Sequence, residues 1–385
     1  MKLFDVYPLY DICPVKGLGS YVWDDKGEKY LDFYGGHAVI SIGHSHPHYI
    51  SKITKHLNEI AFYSNSIVNP LQNELADLLG KLSHCEDYQL FLCNSGAEAN
   101  ENALKMASFE NGRKKIVAFK KAFHGRTSAA VNVTDSRGIQ APINNTFEVD
   151  YLPLNDCEAL EKAFSGADIA AVIIEGIQGI GGIHIPEVSF LQKVAHLCKN
   201  TNTVLILDEI QSGYGRSGTF FAFQKSGILP DIISMAKGMG NGFPIGGILL
   251  HPRFKAKHGL LGTTFGGSHL ACAAGIAVLE VIRDENLMEN ASRWGSVLLE
   301  ELRNCDLPGV VEIRGEGLMI GIEFKENTAL LRKKMLLEQH IFTGSSSDPN
   351  TIRLLPALSI GEEETDCLLT GFKSALLVSS KSVSA

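Results

Sequence analysis

Val204-Leu205-Ile206-Leu207-Asp208-Glu209 is a run of four apolar residues closed by two acids, and 29 residues beyond Asp208 the run Ile232-Ile233-Ser234-Met235-Ala236-Lys237-Gly238 repeats the form with a lysine near its end. Short apolar runs bounded by polar or glycine-containing turns read as buried strands. Leu90-Phe91-Leu92, Ile116-Val117-Ala118-Phe119 and Ile169 to Ile174 share the pattern. Helical stretches alternate with them, the first marked by Leu71, Leu75, Leu78, Leu79 and Leu82 on one 3.6-residue face. Such alternation predicts an α/β fold built on a mostly parallel sheet.

On the N-terminal side, Tyr21-Val22-Trp23 and Tyr30-Leu31-Asp32-Phe33 flank the turn Asp24-Asp25-Lys26-Gly27, a hairpin signal within an arm over residues 1–45. The strand-rich stretch 46–270 reads as a large domain. From 271 to 385 the texture changes: Leu270 to Ile282 and Leu287 to Leu302 read as long helices, and Val310 to Ile313, Leu318 to Glu323 and Ile352 to Leu355 as strands. That is a smaller α+β domain, against which the arm is expected to pack; Ser379 to Ala385 are expected to fray.

With 385 residues, 45% of them hydrophobic and 20% charged, the chain can bury enough apolar surface to fold. Its 35 basic and 43 acidic residues leave a formal charge of -8, which opposes a polyphosphate partner, and Lys114-Lys115 with Lys120-Lys121 and Arg332-Lys333-Lys334 read as solvated faces. Asp5 and Asp11 interrupt any secretory apolar region, and no run of 18 apolar residues occurs, so a soluble, cytoplasmic protein without a membrane partner is expected. Eight cysteines without a CxxC pair suit reduced thiols. Gly213-Tyr214-Gly215-Arg216-Ser217-Gly218 matches a dinucleotide fingerprint literally, but five residues separate it from its strand. His44-Ser45-His46-Pro47-His48 lacks regular spacing and a companion cysteine or acid, so no metal site is expected.

In open parallel sheets ligands lie beyond the carboxyl ends of the strands. Here those ends lead to Asn94-Ser95-Gly96-Ala97-Glu98, to Phe123-His124-Gly125-Arg126, to Glu175, to Asp208-Glu209 and to Lys237. Asn94 or Ser95 can cap a helix whose free N–H groups suit a phosphate, with Gly96 letting the backbone approach it. A buried Asp208 needs a cation or hydrogen-bond donors. Lys237, flanked by Met, Ala and Gly, fits a tight, desolvated turn in which an amine becomes a better nucleophile.

These residues resemble the class III aminotransferases, pyridoxal-phosphate enzymes of fold type I, and most closely their acetylornithine and succinylornithine group. Gly43-His44-Ser45-His46-Pro47, Asn94 to Asn100, Phe123 to Thr127, Leu207 to Gly213, Ala236-Lys237-Gly238, Gly262 to Gly267 and Arg353 to Pro356 carry the resemblance in order along nearly the whole chain. It implies Lys237 as the lysine joined to the cofactor aldehyde and Asp208 as the acid that keeps the pyridine nitrogen protonated. Ser95, Gly96 and Ala97 would cradle the phosphate, Phe123 would stack on the ring beside His124, and Gln211 would bond near the ring hydroxyl. Thr264 would reach the phosphate of a neighbouring subunit, which implies a homodimer with composite sites. Arg126 would grip a substrate carboxylate, Arg353 a carboxylate of the oxo acid, and Glu175 would join the substrate-binding set.

The implied reaction moves the δ-amine of an N2-acylornithine to 2-oxoglutarate, as in arginine biosynthesis; other ω-amine donors (ornithine, 4-aminobutyrate, a diamine) share the same machinery. A mutase or decarboxylase on this scaffold would not require an oxo acid, and a non-catalytic binding protein would not need both Lys237 and Asp208. One departure bears on specificity. Glu175-Gly176-Ile177-Gln178-Gly179-Ile180-Gly181-Gly182 carries Ile180 where the family pattern has a glutamate that masks the arginine matching Arg353. An unmasked Arg353 would favour ligands with a further carboxylate and make the succinyl donor as plausible as the acetyl one. Ser268-His269 replaces a more usual Asn-Pro.

Overall fold

The computed structural model describes residues 1–166 and 168–381; Ser382 to Ala385, most of the tail expected to fray, lie outside the described residues. The chain opens with β1 (Pro14–Leu18), β2 (Tyr21–Asp24) and β3 (Lys29–Asp32), the last two forming the expected antiparallel hairpin. Then come β4 (Gln89–Cys93), β5 (Lys115–Phe119), β6 (Val149–Leu152), β7 (Ile169–Glu175), β8 (Val204–Asp208), β9 (Ile232–Met235) and β10 (Gly246–Leu250). The C-terminal part supplies β11 (Val310–Glu316), β12 (Met319–Phe324), β13 (Ile341–Phe342) and β14 (Thr351–Leu354).

Among the described residues, β4 to β10 build a seven-stranded sheet in the order β4-β10-β9-β8-β7-β5-β6. It is parallel except for β10, which runs antiparallel to both β4 and β9. Every residue of β7 and β8 is buried. An interior parallel strand is covered on both faces, which is why these read as unbroken apolar runs. At about 1.5–3 kcal/mol for each fully buried Val, Leu or Ile, they are the strongest local contributors to the sheet.

Two strands of this sheet were not foreseen. Edge strand β6 carries Asp150, paired with Lys115 of β5, and its residues are all half-buried, so it lacks an apolar run. β10 begins with Gly246 and Gly247, where a Cβ would fall 2.7 Å from the Ser95 carbonyl and 2.8 Å from the Phe91 carbonyl. The glycines that permit this close approach also conceal the strand from a search for apolar runs.

β11, β12 and β14 form a separate antiparallel sheet, while β13 pairs in parallel with β3 and so joins the N-terminal hairpin to the C-terminal part of the chain. The helices His269–Asp284 and Leu287–Asn304 appear where expected. Ser268 caps the first, its Oγ accepting from the Ala271 N–H at 3.3 Å, which gives the departure at that position a structural role.

The strand registers position the site. Glu175 of β7 lies directly opposite Asp208 of β8, which lies opposite Ser234 of β9. Neighbouring strands are about 4.8 Å apart, so the two acids and the start of the Lys237 turn stand side by side at one edge of the sheet.

Candidate active site

Asp208 is 3% exposed, and three N–H donors meet its two oxygens. Oδ2 accepts from Asn100 Nδ2 and His124 Nδ1, each at 2.7 Å, and Oδ1 accepts from the Ile210 N–H at 3.0 Å. These bonds offset the cost of burying the carboxylate. Asn100 was quoted in the sequence without a role. Its signal was a polar residue on the same buried helix face as Ala99, Ala103 and Ala107.

Lys237 follows β9 in a tight turn with φ 46°. A left-handed conformation costs a non-glycine residue about 1–2 kcal/mol, strain that the surrounding packing must hold. Its amine is pushed down to about 8, chiefly by burial, with Arg353 acting in the same direction and Asp208 and Glu175 opposing. Among the described residues it makes no hydrogen bond, so it is free to react.

At the opposite wall the helix Gly96–Asn111 begins. Ser95 is its N-cap, with Oγ accepting from the Glu98 N–H at 3.2 Å, and the Glu98 carboxylate turns back to the Asn94 N–H at 2.6 Å. The N–H groups of Gly96 and Ala97 keep no partner among the described residues and border the cavity, leaving an anion cradle at the positive end of the helix. Gly96 is required for a reason other than ligand approach: a Cβ there would lie 2.9 Å from the Ile210 side chain.

Asp208, Lys237, Ser95, Gly96, Ala97, Phe123, His124, Glu175, Gln211 and Arg126 line one cavity of about 420 Å³. Val39, Ile177, Ile180 and Phe243 give it an apolar wall. The size is that of a small-molecule site.

Several of the expected site residues also bond within the protein. His124 borders the cavity; its side chain is fully buried and its Nδ1 lies 2.7 Å from Asp208 Oδ2. Glu175 accepts from the N–H groups of Phe123 (3.0 Å) and Gly179 (2.8 Å), bracing β7 against two cavity loops. Burial first, and Asp208 after it, push this carboxyl up to about 7. Gln211 gives Nε2 to the His37 carbonyl (3.1 Å), while its Oε1 accepts from Arg353 Nη1 (3.0 Å).

Arg353 is 1% exposed, also donates to the Ser345 carbonyl at 2.5 Å, and lies behind Gln211 instead of lining the cavity. It forms no ion pair with a carboxylate among the described residues, and Ile180 does not mask it; the Ile180 carbonyl is held by the Ser347 N–H at 2.8 Å. Arg126 is exposed at the cavity mouth without a partner among the described residues. Thr264 is exposed and outside the cavity of its own chain.

The turn Gly35-Gly36-His37-Ala38 was not among the expected site elements; its φ angles of 55°, 54°, 68° and 63° are all left-handed. It presents the His37 carbonyl to Gln211. Burial, then Arg353, Lys237 and Arg126, push the His37 imidazole down to about 4, and its ring lies against the Tyr34 hydroxyl.

The literal dinucleotide motif at 213–218 leads only to a short 3-10 turn at Ala222–Ser226, and its Arg216 is buried, donating to the Leu318 and Pro356 carbonyls. The histidine run is divided among three separate acids: His44 with Asp32, His46 with Glu285 and His48 with Glu280. No helix among the described residues is long and apolar enough to cross a membrane.

A lysine in a strained turn, an acid held by three donors and an anion cradle, all at the carboxyl edge of this sheet, describe a pyridoxal-phosphate-dependent transaminase of fold type I. The aminotransferase class-III family model matches residues 5–376. Acetylornithine aminotransferase of Bacillus subtilis is 39% identical over 382 residues, with 97% of each chain covered. The solved acetylornithine aminotransferase of Elizabethkingia anophelis superposes with a TM-score of 0.83 at 31% identity, covering 96% of this chain and 95% of its own. Ornithine aminotransferase of Toxoplasma gondii, in a structure with PLP at partial occupancy in its active site, superposes with a TM-score of 0.89 at 28% identity, covering 98% and 93%. The chain belongs to the class III aminotransferases.

Proposed function

We propose that the protein transfers the δ-amino group of an N2-acylornithine, acetyl or succinyl, to 2-oxoglutarate, giving the N-acyl glutamate semialdehyde and glutamate in arginine metabolism. The observation that carries this reading is a pair of arginines free of carboxylate partners among the described residues, Arg126 at the cavity mouth and Arg353 behind Gln211, with an apolar Ile180 in the cavity wall. Relatives named acetylornithine aminotransferase support the donor class. The likeness to an ornithine aminotransferase keeps free ornithine as the second reading.

The residues present fit pyridoxal phosphate. Bound there, it supplies an aldehyde that takes the amine and a protonated ring that accepts the electron pair left by a departing C–H proton. Ser95 and the N–H groups of Gly96 and Ala97 would hold the phosphate, Phe123 would cover the ring, Asp208 would hold a proton at the ring nitrogen, and Gln211 would bond near the ring hydroxyl. Lys237 would anchor the aldehyde and would hold and move a proton at Nζ as base and then acid. Arg126 orients the donor carboxylate as a planar fork. Arg353 meets the oxo-acid carboxylate when Gln211 releases it, and Glu175 keeps the Phe123 loop and the 178–182 turn in place around the ligand.

The segment Ile60 to Val68 exposes Phe62, Tyr63, Ile67 and Val68 beside Phe265, with the Phe62 and Phe265 rings 5.4 Å apart. We read this as the face of a cytoplasmic homodimer in which Thr264 reaches the neighbour's phosphate. Mixing Lys237→Ala and Thr264→Ala subunits tests it: activity regained by the mixture supports shared sites.

The decisive experiment compares kcat/KM for N2-acetylornithine, N2-succinylornithine, ornithine and 4-aminobutyrate with 2-oxoglutarate as acceptor. An acyl donor should lead with ping-pong kinetics; ornithine preferred tenfold or more overturns the reading, and a strong preference for the acetyl over the succinyl donor overturns the account of Arg353.

A further inference from the structure

Asn100 is 0% exposed and the His124 side chain is fully buried, yet each leaves one polar atom unpaired: Asn100 Oδ1 and His124 Nε2 have no partner among the described residues. Buried polar groups are ordinarily satisfied, and an orphan is costly. Both side chains nevertheless direct a donor to the same atom, Oδ2 of Asp208, at 2.7 Å. Because a carboxylate of this kind only accepts, His124 Nδ1 is the donor. Asn100 also binds the His124 carbonyl at 2.7 Å, and Thr134 Oγ1 accepts from the His124 N–H at 2.9 Å, so the clamp is itself held by backbone contacts.

Resting on the cofactor reading above, we propose that Asn100 and His124 are positioning residues that lock Oδ2 of Asp208 and leave Oδ1 as the oxygen that receives the ring N–H. Oδ1 has only the Ile210 N–H as a partner, so a lone pair remains for a donor in the cavity. The clamp fixes the direction of the acid's lone pair, and the reaction depends on that direction in both half-reactions.

The test uses the holoenzyme with His124→Leu, His124→Asn and Asn100→Ser, reading kcat, both KM values and the pH midpoint of the bound cofactor's visible absorbance change. Misplacement of a reacting group by about 1 Å can cost about 100-fold. His124→Leu should lower kcat in both half-reactions by that order, leave both KM values within about threefold, and move the absorbance midpoint by about half a pH unit or more. His124→Asn, which restores an N–H near Nδ1, should recover kcat to within about tenfold of wild type, and Asn100→Ser should show the same spectral shift if His124→Leu fails to fold. A visible chromophore in all variants with an unmoved midpoint overturns this inference alone, as does equal loss in the Leu and Asn variants. A wild-type protein that forms no chromophore with pyridoxal phosphate overturns the cofactor reading with it.

Discussion

At the inner end of the cavity Asp208 is met by three N–H donors and Lys237 is set by a turn between packed elements, whereas at the outer end Arg126 is unpartnered and Arg353 is folded back onto Gln211 and the Ser345 carbonyl. The inner groups stand at the ends of buried strands in matched register and need no rearrangement to act. The outer groups come from a loop and from the C-terminal sheet, and Arg353 is already bonded to Gln211 and the Ser345 carbonyl. Electron withdrawal demands a fixed geometry, while serving two substrates in turn demands a site that can be re-paired.

The contrast can be broken most sharply at the inner end. Lys237→Ala should abolish turnover, and hydride trapping of the unaltered holoenzyme followed by peptide mapping should place the pyridoxyl label at Lys237 and nowhere else. Asp208→Ala should lower kcat about a thousandfold, on the order of 4 kcal/mol, with the fold unchanged by circular dichroism. Near-normal turnover would show that ring protonation is not secured by this acid.

Changes at the outer end should be smaller and fall on binding. Arg126→Lys should raise KM for the donor by about 10- to 100-fold, with a lesser change in kcat, because a point charge cannot replace a planar fork. Ile180→Glu would place a carboxylate in the wall near Arg353 and should lower kcat/KM for 2-oxoglutarate by about tenfold; no change would mean that Arg353 is not a carboxylate receptor.

The smallest effects concern pH. With the Lys237 amine at about 8, capture of pyridoxal phosphate by the cofactor-free protein should accelerate as pH rises through about 8 and then level off, measured by stopped-flow absorbance. The linkage has a definite sign. Lys237 lies below the ordinary 10.5, so between 8 and 10.5 the unfolded chain holds the extra proton and this group's contribution to stability increases with pH. Glu209, buried and bound to Ser212, Ala222 and Phe223, is pushed up to about 7 from 4.5. Between those values the folded chain holds the extra proton, so its contribution declines as pH rises. Urea unfolding of Glu209→Gln should show a smaller decline across that window.

Much of the inner end was legible from residue order alone. The runs ending at Asp208 and near Lys237 are strands because four or so consecutive apolar residues can be buried only where both faces are covered, and the capping of Gly96–Asn111 by Ser95 is likewise local. β10 was hidden by its glycines and β6 by Asp150, since one is chosen for close backbone approach and the other for an exposed edge. The partners of His124, Glu175 and Arg353 could not be read in this way. The chain separations between His124 and Asp208 and between Gln211 and Arg353 are 84 and 142 residues.

Periodicity, strand-end chemistry and motif order were enough to place five of the seven sheet strands, to put Asp208 and Lys237 at or beyond their ends, and to point to the family, because each depends on neighbours within a few residues. Whether a polar side chain faces a ligand or braces another side chain depends on which distant elements pack beside it. That choice was made by the register of β7, β8 and β9 and by the closure of the C-terminal sheet over Gln211: hydrogen bonds act over about 3 Å, and only the folded chain brings such groups that close.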